Sequence, residues 1–374
     1  MIQPETTPAA LGYRMPAEWE PHAATWIAWP HNREDWPGRF GPIPWVFAEV
    51  VRYLSRVERV EILVNGSKQE HQAADMLDRL GVDLGQVGFH RVKTDRVWTR
   101  DSGPSFVVKP SDPADPTGLA LIHWKFNAWA KYDNFTRDRH VPRAIGKILV
   151  HDRFTPRVDL GDGAKPIRVV LEGGSIDVNG RGTVLTTEEC LLGDVQARNP
   201  KLSREQVEQV LADNLGASNV VWLDKGIDGD DTHGHVDDLA RFVDASTIAT
   251  VVEPNPDDAN HRPLLDNLGR LQDARDQDGQ PFRVVELPMP RPVVFEGRRL
   301  PASYANFYVA NELVLVPTFN DPADRVALDT LAGLFPDRDI VGIHSGDLVW
   351  GLGTLHCMTQ QQPAHGSIPP EAVD

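Results

Sequence analysis

Five side chains of the kinds that perform acid–base and nucleophilic chemistry stand in short, separate motifs. They are Asp101 in WTRDSGP, Glu172 in LEGGSI, His235 and Asp237 in GHVDD, and Cys357 in GLGTLHCMTQQQP. From Asp101 through Glu172 and His235 to Cys357 the intervals are 71, 63 and 122 residues, and the last is close to twice 61. If units of about 60–70 residues form a ring, each unit brings one polar group to a common axis.

Cys357 is one of two cysteines in 374 residues. A buried apolar plug, a metal ligand, half of a disulfide and a nucleophile are all compatible with it. Free cysteine is usually buried, and Cys190 in TTEEC is interpreted as core filler on that ground. Cys357 differs because small residues precede it and the polar TQQQP follows it. A thiol has a pKa of about 8.5, and carboxylates around it oppose ionisation unless the substrate brings a cation.

The segment DGDDTHGHVDD allows two functions. On an extended backbone His235 and Asp237 point to one face, and His233 joins them. Two histidines and a carboxylate suit zinc or iron. Alternatively, His235 is a general acid/base and Asp237 binds a cationic substrate. The residues alone do not decide between the metal site and the acid/base role. A polar loop with only a structural role is the third alternative.

The other two motifs have structural alternatives as well. Glu172 interrupts an apolar run, and a buried carboxylate needs a partner. The two glycines after it permit close approach of a backbone or ligand, or form a β-bulge that turns Glu172 outward. Asp101 lies in a loop ahead of a strand, where substrate groups usually bind, or in a surface turn.

Three carboxylates and a thiol suit one substrate group, the planar guanidinium cation. Asp101, Glu172 and Asp237 would bind it, and its charge would stabilise the Cys357 thiolate for attack on the central carbon. His235 would protonate the departing ammonia and then activate the water that hydrolyses the S-alkylthiouronium, which leaves a ureido product. A cysteine amide hydrolase is disfavoured because it needs an oxyanion hole of donors, and this set is rich in acceptors. A binding protein without catalysis is disfavoured by the five intact residues.

The elements that position these residues alternate between strands and helices, which predicts an α/β fold with many hairpins. RVEILVN predicts a buried strand, and the helix after it ends at Gly81. Asn179-Gly180 predicts a hairpin turn. A capping box at Ser203 and Gln206 predicts a helix that ends at Gly216. No linker divides the chain, so we expect a single domain over 1–374, with peripheral tails at 1–12 and 364–374.

The composition excludes several classes of protein. With 41% hydrophobic and 25% charged residues the chain is typical of globular proteins. A formal charge of −16 makes nucleic acid a poor partner. No apolar run would span a membrane, and the N-terminus lacks the features of a signal peptide, so a cytoplasmic protein is expected.

Seven motifs in order resemble the agmatine deiminase family, which is grouped with bacterial peptidylarginine deiminases. They run from about residue 13 to about residue 363: MPAEWEPHAATWIAWP, VWTRDSGPSFVV, KFNAWAKYD, LEGGSIDVNGRGTVLTTEECLL, GHVDDLARFV, PASYANFYVAN and LHCMTQQQP. The resemblance implies a five-bladed α/β propeller, the pentein fold, with the site on its axis. It implies Cys357 as nucleophile, catalytic roles for the other four residues, no metal or organic cofactor, and a homo-oligomer.

The resemblance also implies the substrate, agmatine, which would give N-carbamoylputrescine and ammonia. The alternative is peptidyl C-terminal arginine, free arginine or another small guanidine. Two departures from the family pattern bear on this choice. Leu352 and Thr354 replace a Gly and an Asn before the nucleophile, and Asp231 and His233 replace a Glu and an Asp before His235.

Agmatine is a dication, so a carboxylate must meet its far ammonium. We suggest Asp230 or Asp231 for that contact. Trp98 and Trp129 are candidates to pack on the methylene chain or the guanidinium face, and plain core aromatics are the alternative for both.

Overall fold

The computed structural model describes residues 7–109, 116–161, 163 and 165–365, so parts of both predicted tails lie outside it. The strands are β1 His22–Ala28, β2 Arg59–Leu63, β3 Val87–His90, β4 Ser105–Val108, β5 Leu119–Ile122, β6 Asp152–Phe154, β7 Arg157–Val158, β8 Ile167–Arg168, β9 Asp177–Val178, β10 Thr183–Thr187, β11 Asn219–Leu223, β12 Ala240–Phe242, β13 Thr247–Val252, β14 Arg283–Pro288, β15 Val294–Phe295, β16 Arg298–Arg299, β17 Tyr308–Val309, β18 Leu313–Thr318, β19 Asp339–His344 and β20 Gln360–Pro363. The helices are α1 Ile43–Leu54, α2 Ser67–Arg79, α3 Thr99–Ser102, α4 Val141–Leu149, α5 Glu188–Leu192, α6 Arg204–Leu215, α7 His261–Asp273 and α8 Ala323–Leu334.

Five sheets share one strand pattern. In each, a first strand pairs antiparallel with a second, and the second pairs parallel with a third after a helical crossover: β4-β5-β6, β9-β10-β11, β12-β13-β14 and β17-β18-β19. The fifth sheet, β20-β1-β2-β3, takes its first strand from the C-terminal end of the chain. The fold is therefore α/β, built from short sheets joined by amphipathic helices.

Local sequence signals account for several of these boundaries. Ser203 and Gln206 form the predicted capping box of α6, which ends at Gly216 with a positive φ of 68°. Gly180, at φ 70°, turns the chain between β9 and β10. Strand β2 is buried after its first residue and pairs parallel with β1 and β3; Glu61, the one charged residue in the buried run, is paired with His90. These predictions are confirmed.

Apolar faces of the helices pack on the sheets. In α1 the side chains of Phe47, Val51 and Leu54 are fully buried. Burial of each contributes about 1.5–3 kcal/mol relative to exposure, so this one face fixes the helix on its sheet. Within the described ranges, no helix has the length and apolarity that crossing a membrane demands.

The polar residues that the sequence singles out stand shortly ahead of the first strand of a sheet. In chain order they are Asp101 before β4, Glu172 before β9, Asp237 before β12 and Cys357 before β20, and Asn306 occupies the same place before β17. Because the first strands are equivalent, the loops before them carry equivalent positions of five similar units.

Candidate active site

A cavity of about 380 Å³ opens above Cys357. Its buried lining includes Cys357, Asp101, Trp98 and Trp129. The remaining lining residues are Asn32, Glu34, Asp35, Pro37, Arg96, Tyr132, Asn134, Asp231, Thr232, Arg298, Trp350, Gly351, Leu352 and Gly353. The cavity therefore joins a thiol and a carboxylate at its buried end to a charged outer end.

The loop before Cys357 has a constrained backbone. Leu352 has a φ of 71°, a left-handed conformation that costs a non-glycine residue about 1–2 kcal/mol. A methyl group on Gly353 would lie 2.9 Å from the Trp98 ring and 3.1 Å from Cys357 Cβ. The glycine thus lets the indole pack directly against the residue that carries the thiol.

The Cys357 thiol lies between an amide and a carboxylate. Asn306 Nδ2 is 3.2 Å from Sγ, and Sγ lies 3.7 Å from Asp237 Oδ2. Burial raises the pKa of the Cys357 thiol well above its ordinary value, and Asp237, Asp238 and Asp101 raise it further. The Cys357 thiol is therefore protonated in this arrangement.

The imidazole of His235 lies among three carboxylates. Its Nε2 is 3.7 Å from Glu172 Oε2, and its Nδ1 is 3.8 Å from Asp101 Oδ1 and 4.0 Å from Asp237 Oδ1. At these distances neither ring nitrogen has a hydrogen-bond partner among the described residues. Burial would lower the pKa of His235, but Asp101, Cys190 and Glu172 raise it well above its ordinary value. His235 therefore carries a proton that it can give to a leaving group.

Asp101 is oriented by two donors. The Trp129 indole N–H donates to Oδ2 at 2.8 Å, and the Gly174 backbone N–H donates to Oδ1 at 3.0 Å. A Cβ atom on residue 174 would lie 2.6 Å from His235 Nδ1 and 2.9 Å from Asp101 Oδ1. These distances are too short for non-bonded atoms, so only glycine fits at this position. Burial raises the pKa of Asp101 to about 6.

Glu172 has an arginine partner. Arg198 Nε lies 3.2 and 3.3 Å from its two carboxylate oxygens, and both side chains are fully buried. Burial would raise the pKa of Glu172, but Arg198 and His235 lower it. Glu172 is therefore an anion turned inward, which excludes the outward orientation that a β-bulge would give.

Cys190 belongs to a buried hydrophobic cluster, as the sequence predicts, and it also lies against this site. It is fully buried, and its sulfur, a Glu172 oxygen and a His235 nitrogen all lie within 4.8 Å of one another. In the part of the chain that the structure describes, this is the group whose atoms could hold a metal ion. A metal ion at this position would lie close to the guanidinium of Arg198, which is paired with the same Glu172 carboxylate. Repulsion between these two positive charges disfavours metal binding.

The structure separates the two carboxylates suggested for the far ammonium. Asp230 does not line the cavity; its oxygens accept backbone N–H groups of Thr232, Gly234 and His235 at 2.7–3.1 Å, which gives it a structural role. Asp231 does line the cavity.

Asp231 is already bound to other side chains. Its partners are Lys131 Nζ at 2.5 Å, the Tyr132 hydroxyl at 2.6 Å and Arg298 at 3.2 Å. A substrate ammonium at Asp231 would compete with two cations. Glu34 also lines the cavity, and it has no ion-pair partner within the described ranges.

The expectation for His233 is not met. Its φ of 63° turns the chain, and its Nε2 lies 3.8 Å from Glu189. His235 and Asp237 also do not share a strand, because residues Val236–Asp238 form a short 3-10 turn. The turn, rather than strand alternation, brings the two side chains together.

Three further residues belong to the site, and sequence reasoning missed their roles. Asn306 contacts Cys357, and His356 binds Asp237 at 2.7 Å. Both stand inside quoted motifs, and the double interval between His235 and Cys357 leaves room for a unit that Asn306 fills. Arg198 lies in no quoted motif, so no signal in the sequence pointed to it.

A family model described as Porphyromonas-type peptidyl-arginine deiminase matches residues 14–363. The agmatine deiminase of Stutzerimonas stutzeri strain A1501 is 36% identical over 382 residues, covering 96% of this chain and 98% of that protein. The agmatine deiminase of Pseudomonas aeruginosa strain LESB58 is 35% identical over 387 residues, covering 97% and 99%.

A solved structure is similar over the same extent. The Enterococcus faecalis agmatine deiminase, whose structure is described as catalysing its reaction, superposes with a TM-score of 0.85 at 31% identity. The match covers 96% of this chain and 98% of that one. The similarity therefore extends over the whole set of sheets and the site between them.

Proposed function

The chain belongs to the Porphyromonas-type peptidyl-arginine deiminase family, and we propose that it hydrolyses agmatine to N-carbamoylputrescine and ammonia. It is a hydrolase of guanidine C–N bonds through a covalent cysteine intermediate. The observation that carries the proposal is a buried thiol next to Asp237 and Asp101, with a protonated imidazole among three carboxylates.

The proposed reaction begins when the guanidinium binds to Asp101 and Asp237. Its positive charge offsets the carboxylates that raise the pKa of Cys357, so the thiol loses its proton to solvent. The thiolate attacks the central guanidinium carbon and forms a neutral tetrahedral adduct. When the C–N bond breaks, His235 gives its proton to the departing nitrogen, which leaves as ammonia.

The resulting S-alkylthiouronium is a cation attached to Cys357. His235, now neutral, takes a proton from water, and the hydroxide adds to the same carbon. The C–S bond then breaks with the electron pair going to sulfur, and the ureido product leaves. The hydroxyl proton that is released restores the thiol, so the proton count closes over one cycle.

The outer end of the cavity supports two substrate classes. Glu34 is an exposed carboxylate that could meet the agmatine ammonium, whereas Asp231 carries Lys131 and Arg298. These two cations favour a guanidine with a carboxylate at its far end, and this observation makes arginine or a C-terminal arginine the second candidate substrate. The same chemistry serves both.

A substrate panel tests the proposal. Purified protein is incubated with agmatine, arginine and an arginine-ended peptide, and ureido product and ammonia are measured for each. We expect turnover of agmatine, with Glu34→Gln raising KM for agmatine alone. Turnover confined to the arginine compounds, with a KM that Arg298→Gln raises, would select the second candidate. No product from any guanidine would refute both.

Rapid quenching tests the intermediate. Wild-type protein stopped during turnover should carry the substrate mass less ammonia on the peptide that contains Cys357, and Cys357→Ser should carry none and lose turnover. A label on Cys190 instead would reassign the nucleophile. We propose that no metal or organic cofactor takes part, so chelation with EDTA should leave kcat unchanged.

We also propose that the five sheets are blades of a five-bladed α/β propeller with the site on its axis. The shared strand pattern and the placement of one site residue before each first strand support this arrangement. An experimental structure that showed an open row of sheets would refute it. A homo-oligomer is part of the proposal, and light scattering of the purified chain tests it.

A further inference from the structure

His356, the residue before the nucleophile, connects two carboxylates behind the active site. Its ring is buried; Nδ1 lies 2.7 Å from Asp237 Oδ2, and Nε2 lies 2.8 Å from Glu18 Oε2. An ionised carboxylate accepts hydrogen bonds and donates none. Both ring nitrogens are therefore placed to donate when the two carboxylates are ionised, and a ring that donates from both nitrogens is an imidazolium.

Glu18 is a fixed anion on one side of that ring. Arg100 lies 3.0 Å from its Oε2, Arg241 lies 2.9 Å from its Oε1, and the Val309 N–H donates to Oε1 at 2.8 Å. Burial would raise the pKa of Glu18, but Arg241, His356 and Arg100 hold it well below its ordinary value. The glutamate therefore orients the ring and remains charged.

Asp237 on the other side uses only one oxygen for this contact. Its Oδ1 is buried and, among the described residues, has no hydrogen-bond partner. It lies 4.0 Å from His235 Nδ1, and Oδ2 lies 3.7 Å from Cys357 Sγ. Burial would raise the pKa of Asp237, but the hydrogen bond and charge of His356 lower it. A buried anion with a free acceptor thus stands beside the nucleophile.

We propose that His356 is a positioning residue for the deiminase reaction: it fixes Asp237 through Oδ2 and leaves Oδ1 to accept an N–H of the substrate guanidinium. The inference rests on the proposed function, and His356 acts through Asp237 rather than on the substrate. The ionisable groups around the ring and its two partners are Glu18, Asp237, Arg100, Arg241, Asp177, Asp238, His235 and Cys357.

Kinetics of His356→Ala and His356→Asn test the role. Loss of a charge-assisted hydrogen bond to a substrate-binding carboxylate should lower kcat/KM roughly 10- to 100-fold in the alanine variant. The loss should appear mainly as a higher KM, and the acidic limb of kcat/KM should move to higher pH because Asp237 then protonates more readily. Asparagine can donate one hydrogen bond but carries no charge. The KM of His356→Asn should therefore recover in part, whereas its acidic limb of kcat/KM should remain displaced as in the alanine variant.

A matched control separates positioning from folding. His90 also contacts a glutamate, with Nε2 2.6 Å from Glu61 Oε2, but it does not line the cavity. His90→Asn should leave KM and the pH profile as in wild type. A folded His356→Ala with wild-type KM and acidic limb would overturn the proposal.

A measurement without turnover distinguishes this failure from failure of the proposed function. In wild-type protein labelled with nitrogen-15 histidine, the His356 ring should show two protonated nitrogens at neutral pH, and a ring with one protonated nitrogen would overturn the inference. This result decides the role of the ring even where His356→Ala does not fold. It also stands if no guanidine is hydrolysed, which would refute the function but not the ring's charge.

Discussion

At the scale of single residues, the proposed nucleophile Cys357 and the proposed acid His235 both carry a proton, because the site raises the pKa of each. The acidic side chains that would bind a guanidinium are also those that raise the pKa of Cys357. In the proposed mechanism the charge of the substrate therefore takes part, because the substrate brings a cation next to the sulfur. Free protein should react slowly with reagents that attack thiolates.

Alkylation measures this directly. Because burial and neighbouring carboxylates raise the pKa of Cys357, reaction with iodoacetamide should be slow at pH 7 and accelerate as the pH rises toward 9. Peptide mass spectrometry identifies the labelled cysteine, and a small-molecule thiol provides the reference rate. Labelling of Cys357 faster than the reference at pH 7 would show that the thiolate is the resting form.

In the wild-type protein Asp101 should set the acidic limb of activity, whereas in His356→Ala the Asp237 carboxyl, without its imidazole partner, protonates at higher pH and contributes to the limb as well. Burial raises its pKa to about 6, and only the ionised carboxylate can bind a guanidinium. The value of kcat/KM should therefore fall as the pH drops through about 6, rather than near the ordinary value of about 3.9. Trp129→Phe removes a hydrogen bond to the charged form and should move the limb to higher pH. An unchanged limb in that variant would contradict the assignment.

Sequence reasoning found these residues unevenly, and the reasons are physical. Cys357 and His235 are recognisable because reactive side chains are few and their motifs are short. Charge makes Asp230 as good a candidate as Asp231 for the substrate ammonium, but charge does not reveal that backbone N–H groups surround Asp230. Cys190 looks like filler in isolation, and only the fold places it against His235.

At the scale of elements, one short turn determines how Trp129 reaches Asp101. Ala128, Trp129 and Ala130 all have positive φ values between 52° and 59°, a left-handed run that no glycine relieves. The turn points the indole N–H at the Asp101 carboxylate. Backbone strain is thus located next to a site residue, where surrounding contacts must stabilise it.

Ala130 offers a test of that strain. Its side chain is exposed, so Ala130→Gly should relieve the left-handed conformation and raise the free energy of unfolding by about 0.5–1 kcal/mol. Ala74→Gly within α2 is the matched control and should lower stability by about the same amount. Chemical denaturation measures both, and destabilisation by both variants would show that the turn stores no strain.

The sequence predicts the boundaries of single helices and strands better than it predicts which strands pair with each other. Helix α6 was delimited by Ser203 and Gly216 because caps are local chemistry. The pairing of β20 with β1 was not foreseen, since the partners lie at opposite ends of the chain and no local pattern records a long-range pair. The extended segment expected around Val236 is a 3-10 turn, because the residue types there are compatible with both conformations.

At the scale of the whole molecule, the charge of −16 should attract cationic substrates. We expect kcat/KM for agmatine to fall about 2- to 10-fold when the ionic strength is raised from a low value to a physiological or higher one, while kcat at saturating substrate stays constant. Alkylation of Cys357 by uncharged iodoacetamide serves as the control and should not respond to salt. A kcat/KM that does not depend on ionic strength would show that the electrostatic field of the protein does not accelerate association with the substrate.

The sheet that holds β1 also holds β20, and Cys357 lies three residues before β20 begins. During synthesis the N-terminal strands emerge from the ribosome long before their last neighbour does. The sulfur can take its place only when the strand Gln360–Pro363 has left the ribosome and paired with β1. Each nascent chain should therefore remain inert until that strand has been released, and its first turnover would mark the closing of this sheet.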